Sequence, residues 1–205
     1  MPRPRSSALT RWKFERCGVL DSLEAVHTAA TGGRPGRWNA TKHLNLALFV
    51  SLAAEFQGYC RDLHDDAAIV LAGSLAPGND QQIPVVLNAL VRERRLDRGN
   101  AAPAALGSDF AVLGLTLWPT IHAAYPARGK QWNSTLTALN EVRNAVAHSD
   151  GAKLREARRH HPLHLGTFRR WRRSLDGAAA GLDRVVGAHL VDLTGTNWDE
   201  EGRHA

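Results

Sequence analysis

Several features that narrow the function of a protein are scarce in this chain of 205 residues. Two cysteines, Cys17 and Cys60, are too few for a disulfide framework or a cysteine-based metal site. The longest apolar runs fall well short of the roughly 20 residues that a membrane-spanning helix needs. Residues 1–16 are basic but hold no apolar segment, so we expect no secretory signal there. These absences predict a cytoplasmic protein that does not contact a membrane.

The common signatures of cofactor and catalytic sites are also missing. There is no glycine-rich phosphate loop of the P-loop or dinucleotide type, and no Gly-x-Ser-x-Gly elbow. The histidine-rich stretch 160–164 does not have the spacing of zinc ligands, because Pro162 interrupts it and no nearby cysteine completes a set. We therefore expect neither a metal nor an organic cofactor.

Positive charge, by contrast, is in excess. The 26 lysines and arginines outnumber the 20 aspartates and glutamates, which gives a formal net charge of +6. A surplus of this sign fits a polyanionic partner such as RNA. It does not decide the matter, since many soluble proteins without a nucleic-acid role are equally basic.

The apolar residues recur at helical spacing, and no segment is typical of a strand. Breaker-rich stretches such as 31–36, 77–80 and 125–129 separate the predicted helices. These helices cover 19–30, a segment from a cap at Asn39 or Thr41 to about 71, 82–96, a segment from a cap at Ser108 or Asp109 to about 124, 131–148, 153–160 and 167–193. Long helices with short connections predict an all-α, antiparallel helical bundle. We expect one domain over 17–198, a basic flexible arm over 1–16 and a polar tail over 199–205.

The most informative stretch is Arg143-Asn144-Ala145-Val146-Ala147-His148, at the end of a predicted helix. Arginine is a permanent cation whose donors match phosphate oxygens. The imidazole of His148 can transfer a proton near neutral pH. Helical phase places Arg143 at the edge of the buried stripe and His148 where the helix stops. The alternative is a structural ion pair for the arginine and an exposed terminal histidine.

The same six residues match the R-N-x-x-x-H signature of the HEPN superfamily (higher eukaryotes and prokaryotes nucleotide-binding domains). The segment "KHLNLALFVSLAAEFQGYCRDLHDD", residues 42–66, also resembles the early core helix of prokaryotic HEPN proteins, and "GLDRVVGAHLVDLTGTNW", 181–198, is a looser match. The resemblance implies a HEPN-like bundle with additional flanking helices, a homodimer, and an RNA-cleaving site where two motif copies meet. Some HEPN toxins have a tyrosine shortly after the motif histidine, which an antitoxin modifies; here Ser149 and Asp150 follow.

Glu55 lies inside the apolar face of the second long helix, three residues after Leu52 and four before Tyr59. A buried carboxylate needs a partner, and Arg143 is the best candidate. The pair, if it forms, either orients the guanidinium or is only a structural tie. Alternatively, Glu55 extends out to solvent between helices.

The segment 168–173 alternates arginines with aromatic residues, as nucleic-acid surfaces often do. Phe168 and Trp171, however, have core spacing with Leu175, which favours burial of the rings. The arginines then form a solvated face that could hold an RNA backbone, namely Arg169, Arg170, Arg172 and Arg173.

Together these features predict a metal-independent endoribonuclease of HEPN type, a toxin or defence effector with a possible antitoxin or defence partner. Its catalytic residues are Arg143, Asn144 and His148, with Glu55 in support. Cleavage is expected to leave a 2′,3′-cyclic phosphate and a 5′-hydroxyl. The alternative is a non-catalytic HEPN module that binds nucleotide, RNA or a protein.

Overall fold

The structure, a computed structural model, describes residues 5–31, 38–196 and 198. Over these residues the chain is an all-α helical bundle, which confirms the predicted fold class at this level. The predicted tail 199–205, and most of the predicted loop 31–36, lie outside the described residues. The helices are α1 (Ser7–Arg11), α2 (Cys17–Thr31), α3 (Trp38–Leu75), α4 (Ile83–Val91), α5 (Arg95–Arg98), α6 (Pro103–Val112), α7 (Leu117–Ala124), α8 (Pro126–Ala147), α9 (Gly151–His160) and α10 (Leu165–Thr194), with a π-helical turn at Trp12–Arg16.

The long helix α3 forms the centre of the bundle and packs against α2, α4, α8 and α10. Its predicted apolar face is buried, with 0% of the surface of Leu52, Phe56, Tyr59 and Leu63 exposed. The Tyr59 hydroxyl donates to the carbonyl of Ala179 in α10 at 2.7 Å, which satisfies its polar end inside the core. The central helices are therefore joined by apolar packing together with specific polar contacts.

The N-terminal segment differs from the flexible arm predicted for residues 1–16. Within the described part of that range, α1 and the π-helical turn pack against the bundle, and only 1% of Trp12 is exposed. The Ser6 hydroxyl accepts the N–H of Leu9 at 3.0 Å, and the Ser6 N–H donates to Asp183 of α10 at 3.1 Å. Residues 1–4 lie outside the described residues.

The basic residues that suggested a solvated arm are neutralised by acidic residues of α3. Arg11 and Arg16 both pair with Asp62, at 3.2 and 2.8 Å. The Ser7 hydroxyl and the Ala8 N–H add hydrogen bonds to Asp66. The sequence shows the basic charges, but the aspartates that pair with them lie some 50 residues further along the chain.

Several predicted boundaries are wrong. The helix expected over 82–96 ends at Val91, because the chain becomes extended at Arg92 and Glu93 has a φ of 62°. This break lets Arg94 turn inward to His64 at 3.3 Å. The side chain of Asp109 accepts the N–H groups of Arg95 and Leu96, both at 2.9 Å, so it stabilises the start of α5 rather than of its own helix.

Other wrong boundaries lie in the segment before the motif helix. The helix expected up to residue 124 is divided into α6 and α7, and Gly114 between them has a φ of 79°. The loop expected over 125–129 is the first turn of α8 instead. Pro126 favours that start because proline fits the first position of a helix. The helix α3 likewise begins at Trp38, before both of the predicted capping residues.

No single helix among the described residues is long and apolar enough to cross a membrane. By length and composition alone, the bent pair formed by α6 and α7 passes the same test.

Candidate active site

The six motif residues occupy the last turns of α8 and its C-terminal cap. Arg143 and Asn144 are half-buried, whereas His148 is exposed at the cap position. Of the apolar stripe that helical phase predicts, Leu136, Leu139 and Val142 are buried and Val146 is half-buried, so this stripe packs α8 against the bundle. The packing therefore holds the arginine at the edge of the core and presents the histidine to solvent.

A tight corner follows the motif. The N–H of Ser149 donates to the carbonyl of Val146 at 3.1 Å, and that of Asp150 to Ala145 at 2.8 Å, the pattern of a Schellman motif. Ser149 has a φ of 51°, a left-handed conformation that is costly for a residue with a side chain. The strain is located directly beside His148.

Asp150 completes the corner by capping α9. Its carboxylate accepts the N–H groups of Ala152 and Lys153, at 3.1 and 3.0 Å. The bond from Lys153 is the largest of the effects that hold the pKa of Asp150 below its usual value. His148 is thus the first of the three residues between the end of α8 and the capped start of α9.

Asn144 is the polar centre of the motif. Its side-chain oxygen accepts one hydrogen bond from Arg143, at 3.1 Å, and another from Asn100, at 3.0 Å. Asn100 also accepts the N–H of Ala102 at 3.2 Å, which fixes the amide before α6. Sequence reasoning missed Asn100, because nothing in its local pattern shows that it faces α8.

The predicted partnership of Glu55 with Arg143 is wrong. Glu55 is half-buried and pairs with Arg16 of the π-helical turn at 3.0 Å. Arg16 joins Glu55 to Asp62, and the support that Glu55 gives is therefore to the N-terminal segment. Within the described part of the chain, Arg143 has no salt bridge with any carboxylate. A half-buried guanidinium without a counter-charge can bind an external anion.

The four arginines of 168–173 divide into two pairs. Arg169 pairs with Glu24, and Arg172 pairs with Asp21 at 2.7 Å, so both tie α10 to α2. Arg170 and Arg173 are exposed and line a cleft between α8 and α10. As predicted, Phe168 and Trp171 belong to the core, with 0% and 5% of their surfaces exposed.

This cleft, called the arginine cleft below, has a volume of about 460 Å³. Arg128 and Arg184 complete its set of four cations, and Tyr125 and Trp132 form part of its wall. Sequence reasoning missed Arg128, because it lies in α8, far along the chain from the others. It also missed Arg184, which is on α10 but lies outside the arginine-rich segment 168–173.

The histidines of 160–164 have separate structural roles. His160 bonds Glu156 at 3.1 Å, His161 packs edge-on against Trp171, and His164 accepts the N–H of Thr167 at the start of α10. No group of three or more histidine, cysteine, aspartate or glutamate side chains that could hold a metal ion occurs among the described residues.

The end of α8 carries a cation without a carboxylate partner among the described residues, an amide oxygen that accepts two hydrogen bonds and an exposed imidazole. These groups can bind a phosphate and transfer a proton, which is the chemistry of phosphodiester cleavage without a metal. Comparison of the chain with protein-family models, with curated proteins and with solved structures found no match. The resemblance to HEPN proteins therefore rests on the sequence motif.

Proposed function

We propose that the protein is a metal-independent endoribonuclease of HEPN type, acting in the cytoplasm as a toxin or defence effector. The observation that carries the proposal is Arg143, which stands half-buried in the last turns of α8 without a carboxylate partner among the described residues. Its neighbour Asn144 is fixed by Asn100, and His148 is exposed at the cap. A structural arginine at this depth normally has a counter-charge.

In the proposed mechanism, the 2′-hydroxyl of the RNA attacks the adjacent phosphorus and the bond to the 5′-oxygen breaks. His148 accepts the proton from the attacking hydroxyl or donates one to the leaving oxygen. Arg143 stabilises the additional negative charge on the phosphorane-like transition state. Asn144 supports the geometry of the arginine. The products are a 2′,3′-cyclic phosphate and a 5′-hydroxyl.

One chain supplies one motif histidine, whereas the reaction uses both an acid and a base. A two-fold dimer that joins the ends of two α8 helices supplies the second group, and homodimers with such symmetry are common. We therefore include a homodimer in the proposal.

The second candidate is a non-catalytic HEPN module that binds nucleotide, RNA or a protein. One observation favours it: within the described residues, the ring of His148 has no hydrogen-bond partner that orients it. A general base is usually held in place by a third group. In the nuclease proposal, the partner protomer or the RNA supplies this contact.

The test is RNA cleavage by the purified wild-type chain and by three variants. His148→Ala and Arg143→Ala should each lower the rate by at least about 100-fold, the scale expected for losing a proton-transfer group or a charge stabiliser. Arg143→Lys should also be slow, because a point charge replaces a planar fork. His160→Ala, at an exposed histidine of α9, is the matched control and should cleave normally. Equal cleavage by wild type and His148→Ala excludes the proposed mechanism.

Two further readouts separate this mechanism from others. Cleavage should persist in EDTA and should leave 2′,3′-cyclic phosphate ends, detectable by resistance to enzymes that need a free 3′-hydroxyl. A strict requirement for magnesium contradicts the mechanism even if RNA is cut. If the wild type binds RNA without cutting it, the binding module is the better description.

A further inference from the structure

The arginine cleft differs from the rest of the surface in how its charges are paired. Most described arginines elsewhere contact a carboxylate, among them Arg11, Arg16, Arg61, Arg94, Arg159, Arg169 and Arg172. The described residues that line the cleft include no acidic side chain. Arg128, Arg170, Arg173 and Arg184 are all exposed, and within the described chain none forms a salt bridge. Four like charges around one concavity repel one another unless an anion lies between them.

The hydrogen bonds of these arginines are with neutral groups. Arg184 donates to the Tyr125 hydroxyl at 3.0 Å, and Arg170 donates to the Thr167 hydroxyl at 3.3 Å. Such bonds hold a guanidinium in place while leaving its charge uncompensated. The start of α8, at Pro126, adds the positive end of a helix dipole beside Tyr125.

The cleft is elongated along α10. Arg170 and Arg184 are 14 residues apart on one helix, which corresponds to about 21 Å. That span exceeds one phosphate group and accommodates several successive phosphates of a strand. Gly181 lines the cleft and has no side chain to fill it. A Cβ at this position would overlap the ring of Trp132.

One end of the cleft lies nearer to the motif than the other, because α8 and α10 are antiparallel. Trp132 of α8 lies against Gly181, and three residues later the hydroxyl of Thr135 bonds Ser174 at 3.1 Å. As α8 advances, α10 therefore runs backwards, and Arg170 lies nearer than Arg184 to the end of α8 that holds the motif. A strand along the cleft runs toward the level of Arg143.

We infer that the arginine cleft binds the backbone of a single-stranded RNA. The arginines match phosphate oxygens through their planar forks. The rings of the wall are largely buried, with 5% of Trp132 exposed, so recognition is by phosphate rather than by base stacking. The inference rests on the proposed function for the choice of RNA as the polyanion, and it adds where the strand lies outside the motif.

The experiment measures binding of a fluorescent 12-nucleotide uridine RNA by anisotropy, with His148→Ala in every chain so that cleavage does not interfere. The variant pairs R170Q/R173Q and R128Q/R184Q should each weaken binding at least tenfold at low salt. Each pair should also reduce the slope of log K against log salt by about 1.4, since each lost phosphate contact contributes about 0.7 for a single strand. The control is R92Q/R98Q, which removes two exposed arginines beside Glu93. It should bind within about twofold of the His148→Ala parent chain, because neither arginine lines the cleft.

Binding by both cleft variants that equals binding by the control overturns the inference. Two competitors test other occupants. Displacement of the RNA by ATP at micromolar concentration, or by polyglutamate more readily than by unlabelled RNA, also overturns it in favour of a free nucleotide or an acidic protein segment. The outcome is separable from the proposed function. If the wild type cuts no RNA but the cleft variants bind RNA more weakly, this inference stands and the nuclease proposal fails.

Discussion

At the scale of single residues, His64 is a buried imidazole in the middle of α3. Its Nδ1 faces the Arg94 guanidinium at 3.3 Å, and its Nε2 faces the carbonyl of Asp109 at 3.1 Å. Because a guanidinium only donates, Nδ1 must accept and Nε2 must carry the proton. Burial, and then the charge of Arg94, lower the pKa of His64 below its usual 6.5. The folded protein therefore holds this ring neutral.

The pH dependence of stability follows from that shift. Below about pH 6.5 the unfolded chain binds a proton at this position that the folded chain does not, so the free energy of unfolding decreases as the pH falls toward the lower, folded-state pKa. His64→Gln keeps a donor and an acceptor but cannot titrate, and should flatten this decrease below about pH 6.5. Urea unfolding at several pH values measures it, with His43→Gln at an exposed site as the control. Parallel pH profiles for both variants contradict the assignment.

Residue roles were predictable from the sequence where one helix face determined them. The burial of Phe168 and Trp171 followed from their spacing. The partner of Glu55 did not, because a charge inside an apolar face shows that a partner is needed without showing which one. Arg16 supplies it from a segment whose composition suggested solvent exposure.

At the scale of elements, the π-helical turn at Trp12–Arg16 depends on a glycine in α3. The guanidinium of Arg16 lies where a Cβ of Gly58 would be, and from there it reaches Glu55 and Asp62. The absence of a side chain at Gly58 therefore leaves the space in which Arg16 of the N-terminal segment packs against α3.

Alanine at two glycines tests this dependence. Gly18→Ala, where nothing lies within 4 Å of the new Cβ, should raise the free energy of unfolding by about 0.5–1 kcal/mol through helix propensity. Gly58→Ala should lack that gain and lower stability, because Arg16 must move away from its carboxylates. In an Arg16→Met background the penalty should shrink, and thermal unfolding followed by circular dichroism measures this coupling. A Gly58→Ala effect equal to that of Gly18→Ala contradicts the proposed contact.

Long elements were predictable and their interruptions were not. Periodicity located α3, α8 and α10 to within a few residues at most ends. The break after Val91 depends on Arg94 turning toward α3, and the start of α5 depends on Asp109. Such breaks are set by contacts between helices, which a local pattern does not contain. The motif could be predicted because its residues are adjacent in sequence. The contact of Asn100 with Asn144 and the arginine cleft could not, because each forms between separate segments of the chain.

At the scale of the whole molecule, the proposed site requires two chains, and mixing variants tests this. His148→Ala and Arg143→Ala chains, each inactive alone, should regain part of the cleavage activity when mixed and allowed to exchange, because a mixed dimer holds one intact histidine and one intact arginine. His148→Ala chains alone, taken through the same exchange procedure, are the control. Sedimentation should show dimers at micromolar concentration. Fully active monomers contradict the shared site.

The contact between the two ends of the described chain has a consequence for how the protein is made. Ser6 bonds Asp183, which is 177 residues away, and the indole of Trp12 donates to Asp176 at 3.1 Å. The first helix is synthesised before its polar anchors on α10, which follow it by 164 and 177 residues. Contacts of such sequence separation close slowly. The motif helix also packs against α10, so a protein proposed to cut RNA completes the packing around its motif only once α10 has been synthesised.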